Sequence, residues 1–184
     1  MARNTSLQPV AVIVSRYNAS VTDRLREGAR SAYAARGGRG TDLHVFSAPG
    51  AYELPVLARE AALSGRYAGV VTLGCVIRGQ TRHDRYIAQA VADALMSVAL
   101  GTGVPVAFGV ITAETAGQAR DRASGKKGNK GEEAMNAVLD TIETLGAIAR
   151  GEGGGVVGGR APDKAASDTS ASRLGKTRRG GGKP

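Results

Sequence analysis

Leu73-Gly74-Cys75-Val76-Ile77-Arg78-Gly79-Gln80-Thr81-Arg82-His83-Asp84 marks the point where an apolar run gives way, across a glycine turn, to a helix start. Residues 69–77 (Gly-Val-Val-Thr-Leu-Gly-Cys-Val-Ile) are almost all apolar and rich in β-branched types. That pattern predicts a strand buried on both faces, as in a parallel sheet covered by helices. Arg78-Gly79 closes the strand. Thr81 and Asp84 have the spacing of a capping box, which predicts a helix from about Arg82 with both side chains bonded to its first turn. A helix start behind a glycine turn presents unpaired N–H groups at the positive end of the helix dipole, a physical basis for holding phosphate. His83 falls in that first turn, where the dipole disfavours the imidazolium and leaves a neutral ring able to exchange a proton with a ligand. On position alone a solvated surface histidine is the commoner role, and strand-Gly-Thr-helix junctions recur across α/β proteins.

The 184 residues, 42% of them hydrophobic, suffice for one substantial core and predict one globular domain. Cys75 is the single cysteine and lies inside the apolar run. An intrachain disulfide and a multi-cysteine metal site are thereby excluded, no metal site is expected, and a small buried thiol in a reducing cytoplasm fits best. Residues 1–8 lack an apolar signal core, and no run approaches the roughly 18 residues of a membrane span, so a soluble protein without a membrane partner is expected. The formal charge of +9 raises nucleic acid as a partner, yet +4 of it falls after residue 150. That segment holds ten glycines, no aromatic residue, and only Val156, Val157 and Leu174 as large apolar side chains. Residues 1–150 are therefore read as the folded domain and 151–184 as a disordered Gly-rich basic tail, with no specific nucleic-acid partner.

Working outward from the decisive stretch, residues 10–14 (Val-Ala-Val-Ile-Val) form a second buried-strand run, followed by a polar loop carrying Tyr17. Ser20 and Asp23 again have capping-box spacing, and Val21, Leu25, Ala29, Ala32 and Tyr33 share one face of a helix stopped by Gly37-Gly38. Residues 43–46 predict a short strand in which His44 is structural, leading through Pro49-Gly50-Ala51-Tyr52-Glu53 into a helix that ends at Gly65. Beyond His83, Tyr86, Ile87, Ala90, Val91, Ala94, Leu95 and Val98 make a wide apolar stripe at helical spacing, suited to core or subunit packing. Residues 104–111 predict another buried strand with Phe108 near its end, and Thr115 with Gln118 caps the next short helix. Residues 120–131 read as a glycine-punctuated cationic loop, and residues 132–150 as a final helix with Met135, Val138, Leu139, Ile142 and Leu145 on its core face.

Alternating strands and helices predict a three-layer α/β/α sandwich with a parallel, flavodoxin-like sheet. Ligands in such sheets bind beyond the carboxyl ends of the strands, where Tyr17, residues 49–53, 77–83 and 108–112 all fall.

Taken together, Arg16-Tyr17-Asn18, Pro49-Gly50-Ala51-Tyr52-Glu53, the stretch from Leu73 to His83, Phe108-Gly109-Val110-Ile111-Thr112 and Gly128-Asn129-Lys130-Gly131 resemble the lumazine synthase family of riboflavin biosynthesis. The resemblance spans residues of about 9 to 150 in order and spacing, and five motifs in register make it specific. It implies a condensation, without metal or organic cofactor, of 5-amino-6-(D-ribitylamino)uracil with 3,4-dihydroxy-2-butanone 4-phosphate, giving 6,7-dimethyl-8-ribityllumazine, phosphate and water.

By that resemblance, Tyr17 stacks on the pyrimidine, and Ala51, Tyr52 and Glu53 line the ribityl chain. Cys75, Val76 and Ile77 meet the pyrimidine through backbone groups, and Phe108 completes the aromatic pocket. Gln80, Thr81, Arg122 and Lys130 surround the phosphate, and His83 transfers protons. The family's site lies between subunits, with Phe108, Arg122 and Lys130 coming from the neighbouring chain. A pentamer is implied, and riboflavin synthase is an implied partner. Gly128-Asn129-Lys130-Gly131 runs into the last helix without extra residues, which favours closure into a sixty-subunit shell. The sequence departs from the family's pattern in Arg82 and in Asp84-Arg85-Tyr86 after His83. Rival readings are a flavin- or nucleotide-binding flavodoxin-like module, which lacks its usual phosphate loop here, and a catalytically weak, lumazine- or flavin-binding, cage-forming paralogue.

Overall fold

β3 (Gly69–Ile77) lies inside a four-stranded sheet, hydrogen-bonded to β1 (Val10–Ser15) on one edge and β4 (Val106–Ala113) on the other. β2 (Leu43–Ala48) completes the order β2-β1-β3-β4, with every pair parallel. The computed structural model describes residues 7–152 apart from Lys126. The basic tail anticipated over 151–184 therefore lies almost wholly outside the described residues.

Helices cover both faces because β1 and β3 bury side chains on both. Val10, Val12, Val14, Val71 and Leu73 pack with α1 (Ala19–Ala35) and α5 (Lys130–Ala149). Ala11, Ile13, Val70 and Val76 pack with α2 (Leu54–Leu63) and α3 (His83–Thr102). This is the flavodoxin-like three-layer α/β/α sandwich expected from the alternation of elements.

Two predicted capping boxes do not form. α3 begins at His83 without a side-chain cap: Thr81 turns to the His83 ring instead, and Asp84 Oδ1 is buried with no hydrogen-bond partner among the described residues. α1 begins at Ala19, one residue before Ser20, because Asn18 adopts the left-handed conformation (φ 58°) and its carbonyl receives the first helical bonds. Asp23 pairs with Arg26 at 3.2 Å rather than reaching back. The third cap does form, Thr115 accepting from the Gln118 N–H at the start of α4 (Ala116–Asp121).

β4 starts at Val106, not at residue 104, since Pro105 has no N–H and the ladder opens with its carbonyl accepting from Val70. The cationic segment contains more order than its composition suggests: β5 (Ala123–Gly125) pairs antiparallel with β6 (Gly128–Asn129). Asn129 then uses its whole side-chain amide. Nδ2 donates to the carbonyls of Arg24 (2.9 Å) and Ala123 (2.7 Å), and Oδ1 accepts from the N–H groups of Gly131 (2.8 Å) and Glu132 (3.3 Å). That cap starts α5 at Lys130, two residues earlier than its apolar face indicates. A β-carbon on Gly131 would overlap the Leu25 carbonyl, so only glycine allows α1 and α5 to cross this closely. Leu145 is 42% exposed and lies outside the core assigned to α5.

Candidate active site

The ladder between β1 and β3 ends at Val14 opposite Leu73, whereas the ladder between β3 and β4 continues to Ile77 opposite Ala113. The β1-facing edge of residues 74–77 is consequently left without a strand partner. This is the switch point of the sheet, since the chain leaves β1 toward β2 on one side and enters β3 on the other, and such points open a crevice beyond the strand ends.

A cleft of about 490 Å³ occupies that position. It is lined by Tyr17 and Asn18 from the β1–α1 turn, by Gly50, Ala51, Tyr52 and Glu53 before α2, by Cys75, Val76 and Ile77 of β3, and by His83 and Ile87 of α3. Tyr17 and Tyr52 are 73% and 66% exposed, so both rings stand at the rim with faces available to a flat ligand. Glu53 is half-buried. Cys75 is buried, and burial pushes its thiol up to about 11, so that it is protonated near neutral pH and is no nucleophile there.

Eight of the residues singled out in the sequence thus share one cleft: Tyr17, Ala51, Tyr52, Glu53, Cys75, Val76, Ile77 and His83. Gln80 and Thr81 sit beside it in the exposed turn before α3. Phe108 lines a different cleft of about 580 Å³, with Arg78, Asp84, Arg85, Thr112, Glu114 and Gln118. Arg122 is exposed at the end of α4, and Lys130 pairs with Glu133 at 2.6 Å in the first turn of α5. Within one chain, Phe108, Arg122 and Lys130 do not line the cleft that holds His83.

Asn18 was not among the expected site residues, and its role is visible only in three dimensions. Its Nδ2 donates to the Cys75 carbonyl at 2.9 Å, on the unpaired edge of β3, tying the Tyr17 turn to the floor of the cleft. The signal for its backbone was present, since asparagine adopts positive φ more readily than other residues with a β-carbon. Ile87 was also legible, one helical turn beyond His83 and so on the same face.

A doubly wound parallel sheet whose switch-point cleft combines two tyrosine rings, a carboxylate and an imidazole defines a flavodoxin-like α/β protein with a pocket of small-molecule size. Residues 8–146 match the family model described as 6,7-dimethyl-8-ribityllumazine synthase. The chain is 47% identical over 135 residues to a 6,7-dimethyl-8-ribityllumazine synthase of Deinococcus deserti, covering 73% of this chain and 86% of that one. It is 51% identical over 141 residues to the protein of the same name from Edwardsiella ictaluri, covering 76% and 90%. Identity to 6,7-dimethyl-8-ribityllumazine synthase 1 of Caulobacter vibrioides is 47% over 136 residues, covering 74% and 89%. The chain belongs to the 6,7-dimethyl-8-ribityllumazine synthase family, and it is a transferase.

The Asn18 contact gives a test of how the cleft is held. Asn18→Ala loses a hydrogen bond and places an ordinary residue at positive φ, and is expected to lower stability by about 2 kcal/mol. Asn18→Gly loses only the bond and should be about 1 kcal/mol less damaging. Thermal unfolding at one fixed protein concentration measures both, and equal losses would show that the left-handed turn is not a constraint on the site.

Proposed function

We propose that this protein condenses 5-amino-6-(D-ribitylamino)uracil with 3,4-dihydroxy-2-butanone 4-phosphate to give 6,7-dimethyl-8-ribityllumazine, phosphate and water, in the cytoplasm. The observation that carries the proposal is the convergence of Tyr17, Glu53, residues 75–77 and His83 on one cleft in a chain of this family. Imine formation, phosphate elimination and ring closure require proton movement and anion stabilisation more than a strong nucleophile. His83 at the start of α3 supplies the first. Gln80, Thr81 and the helix N-terminus supply the second. Tyr17 stacks on the pyrimidine, Ala51, Tyr52 and Glu53 receive the ribityl chain, and residues 75–77 offer the backbone edge that β1 leaves unpaired.

Arg122, Lys130 and Phe108 enter this reading from a neighbouring subunit, with the two cations on the phosphate and Phe108 against the ring system. The support is geometric: none of the three reaches the cleft of its own chain, and a charge-assisted Arg–phosphate bond is the natural complement of an open helix start. Apolar exposure on α3 supports close subunit packing as well, Tyr86, Met96 and Leu100 being 77%, 61% and 79% exposed. The ring is heterologous, each chain presenting different faces to its two neighbours, and we assign it five members. The uninterrupted passage of Gly128-Asn129-Lys130-Gly131 into α5 favours further closure into a sixty-subunit shell over a free pentamer, and riboflavin synthase, which consumes the product, is the proposed protein partner.

Purified protein mixed with both substrates should produce lumazine absorbance without added metal or cofactor. His83→Ala is expected to lower kcat roughly 100-fold or more, the usual contribution of a general acid–base group. Arg122→Ala should instead raise KM for the phosphate-bearing substrate well above its effect on the pyrimidine. Product formation no faster than in buffer would refute the reading, and identical kinetic effects of the two substitutions would refute the division of roles.

Sedimentation is expected to show five or sixty subunits. A fully active monomer would sink the shared site.

A further inference from the structure

The contact between Thr81 and His83 has a consequence beyond capping. Thr81 Oγ1 lies 2.6 Å from His83 Nδ1, and the ring is the only partner of that hydroxyl among the described residues. α3 is left without a side-chain cap as a result. Next to Nδ1, the ring's Cε1 lies close to Gly79, where an added β-carbon would stand 3.2 Å from it. Among the described residues the imidazole has one hydrogen-bond partner, the Thr81 hydroxyl, and a close neighbour in Gly79.

A hydroxyl has one hydrogen to give and lone pairs to receive with, while a neutral imidazole carries one N–H and one bare nitrogen. Whichever way the Thr81 hydrogen points fixes which ring nitrogen is free. With the hydrogen given to Nδ1, the ring's own N–H is at Nε2, and the exposed nitrogen is a donor. A phosphate dianion at the helix start offers acceptors only, and a hydrogen bond to it is about twice as strong as one between neutral groups. Thr81 then turns its hydrogen to the phosphate and presents only a lone pair to the ring. Nδ1 must carry the N–H, and Nε2 becomes a bare base.

We infer that Thr81 is a positioning residue that couples phosphate occupancy to the tautomer of His83, making Nε2 a proton acceptor while phosphate is bound and a proton donor after it departs. The exchange is balanced: one proton leaves Nε2 to solvent, one arrives at Nδ1 from solvent, and the ring's charge is unchanged. The inference rests on the reading of Thr81 as a phosphate contact, and it adds what that contact does to the proton-transfer group.

His44 provides an internal reference, since these are the only two histidines in the chain. Its Nε2 is 3.2 Å from the Thr41 carbonyl, which can only accept, and its Nδ1 is 2.9 Å from the Tyr67 hydroxyl. The neutral His44 ring therefore keeps its N–H at Nε2 whatever occupies the active site.

Magic-angle-spinning ¹⁵N spectra of sedimented, histidine-labelled full-length protein report both tautomers directly, and ³¹P spectra of the same samples report bound inorganic phosphate. At a pH where the His83 ring is neutral, its N–H should sit at Nε2 without phosphate and at Nδ1 at saturation, with His44 unchanged. Thr81→Ser should retain the exchange. Thr81→Val should abolish it, with unchanged His44 signals showing that the fold persists. Bound phosphate with no change in the His83 tautomer, or the same change in Thr81→Val, would overturn the coupling while leaving the phosphate site standing. Failure of inorganic phosphate to bind at all would overturn the phosphate reading itself, and the coupling with it.

Discussion

The unequal pairing of β3 is the constraint on which the rest depends. Its nine residues are nearly all buried, so their backbone groups need partners on both edges and their side chains need cover on both faces. β4 pairs with it to the end, but its pairing with β1 stops at Leu73. The gap could have been filled by lengthening β1. Instead the chain turns out at Ser15, and Asn18 returns one side-chain N–H to the Cys75 carbonyl. That choice leaves an open edge of backbone in the cleft lined by Tyr17, Glu53 and His83, where a sixth pair of the β1–β3 ladder would otherwise stand.

The same arrangement explains why the chemistry is spread over so many short segments. Each functional group stands at a strand end or helix start, where local backbone geometry rather than a long loop fixes it. The basic segment follows this rule. Asn129 ties it to α1 and to α5 with three hydrogen bonds and closes its own hairpin with a fourth to the Ala123 carbonyl, so Arg122 and Lys130 project from a held hairpin junction rather than from a loose loop. Neither lines its own chain's cleft, which is what the proposed contribution to another copy's site rests on.

Much of this was legible in the sequence because the signals were periodic or compositional. β3 was bounded correctly by its apolar run, and the alternation of elements gave the sheet and its layers. What failed was local competition for single hydrogen bonds. Thr81 and Asp84 have the spacing of a cap, yet His83 lies between them and takes the Thr81 hydroxyl. Ser20 and Asp23 have it too, yet Asn18 reaches positive φ first and starts the helix without them. Residues 120–131 read as loop because two short antiparallel strands and an asparagine cap leave almost no mark on composition. Eight of the residues singled out in the sequence line one cleft. Gln80 and Thr81 lie in the turn beside that cleft, while Phe108, Arg122 and Lys130 lie elsewhere on the chain, and under the proposed shared site their place depends on a second copy.

The most direct test of the central claim, that each site is completed by a neighbouring chain, is complementation. His83→Ala and Arg122→Ala proteins should each be impaired, and unfolding them together and refolding the mixture yields rings carrying both. Wherever an Arg122→Ala chain contributes its intact His83 to a site whose Arg122 comes from a His83→Ala neighbour, that site is wild type, so mixed rings should recover a substantial fraction of native kcat/KM. Activity of the mixture no higher than the mean of the two separate variants would mean that His83 and Arg122 act within one chain, contradicting the account.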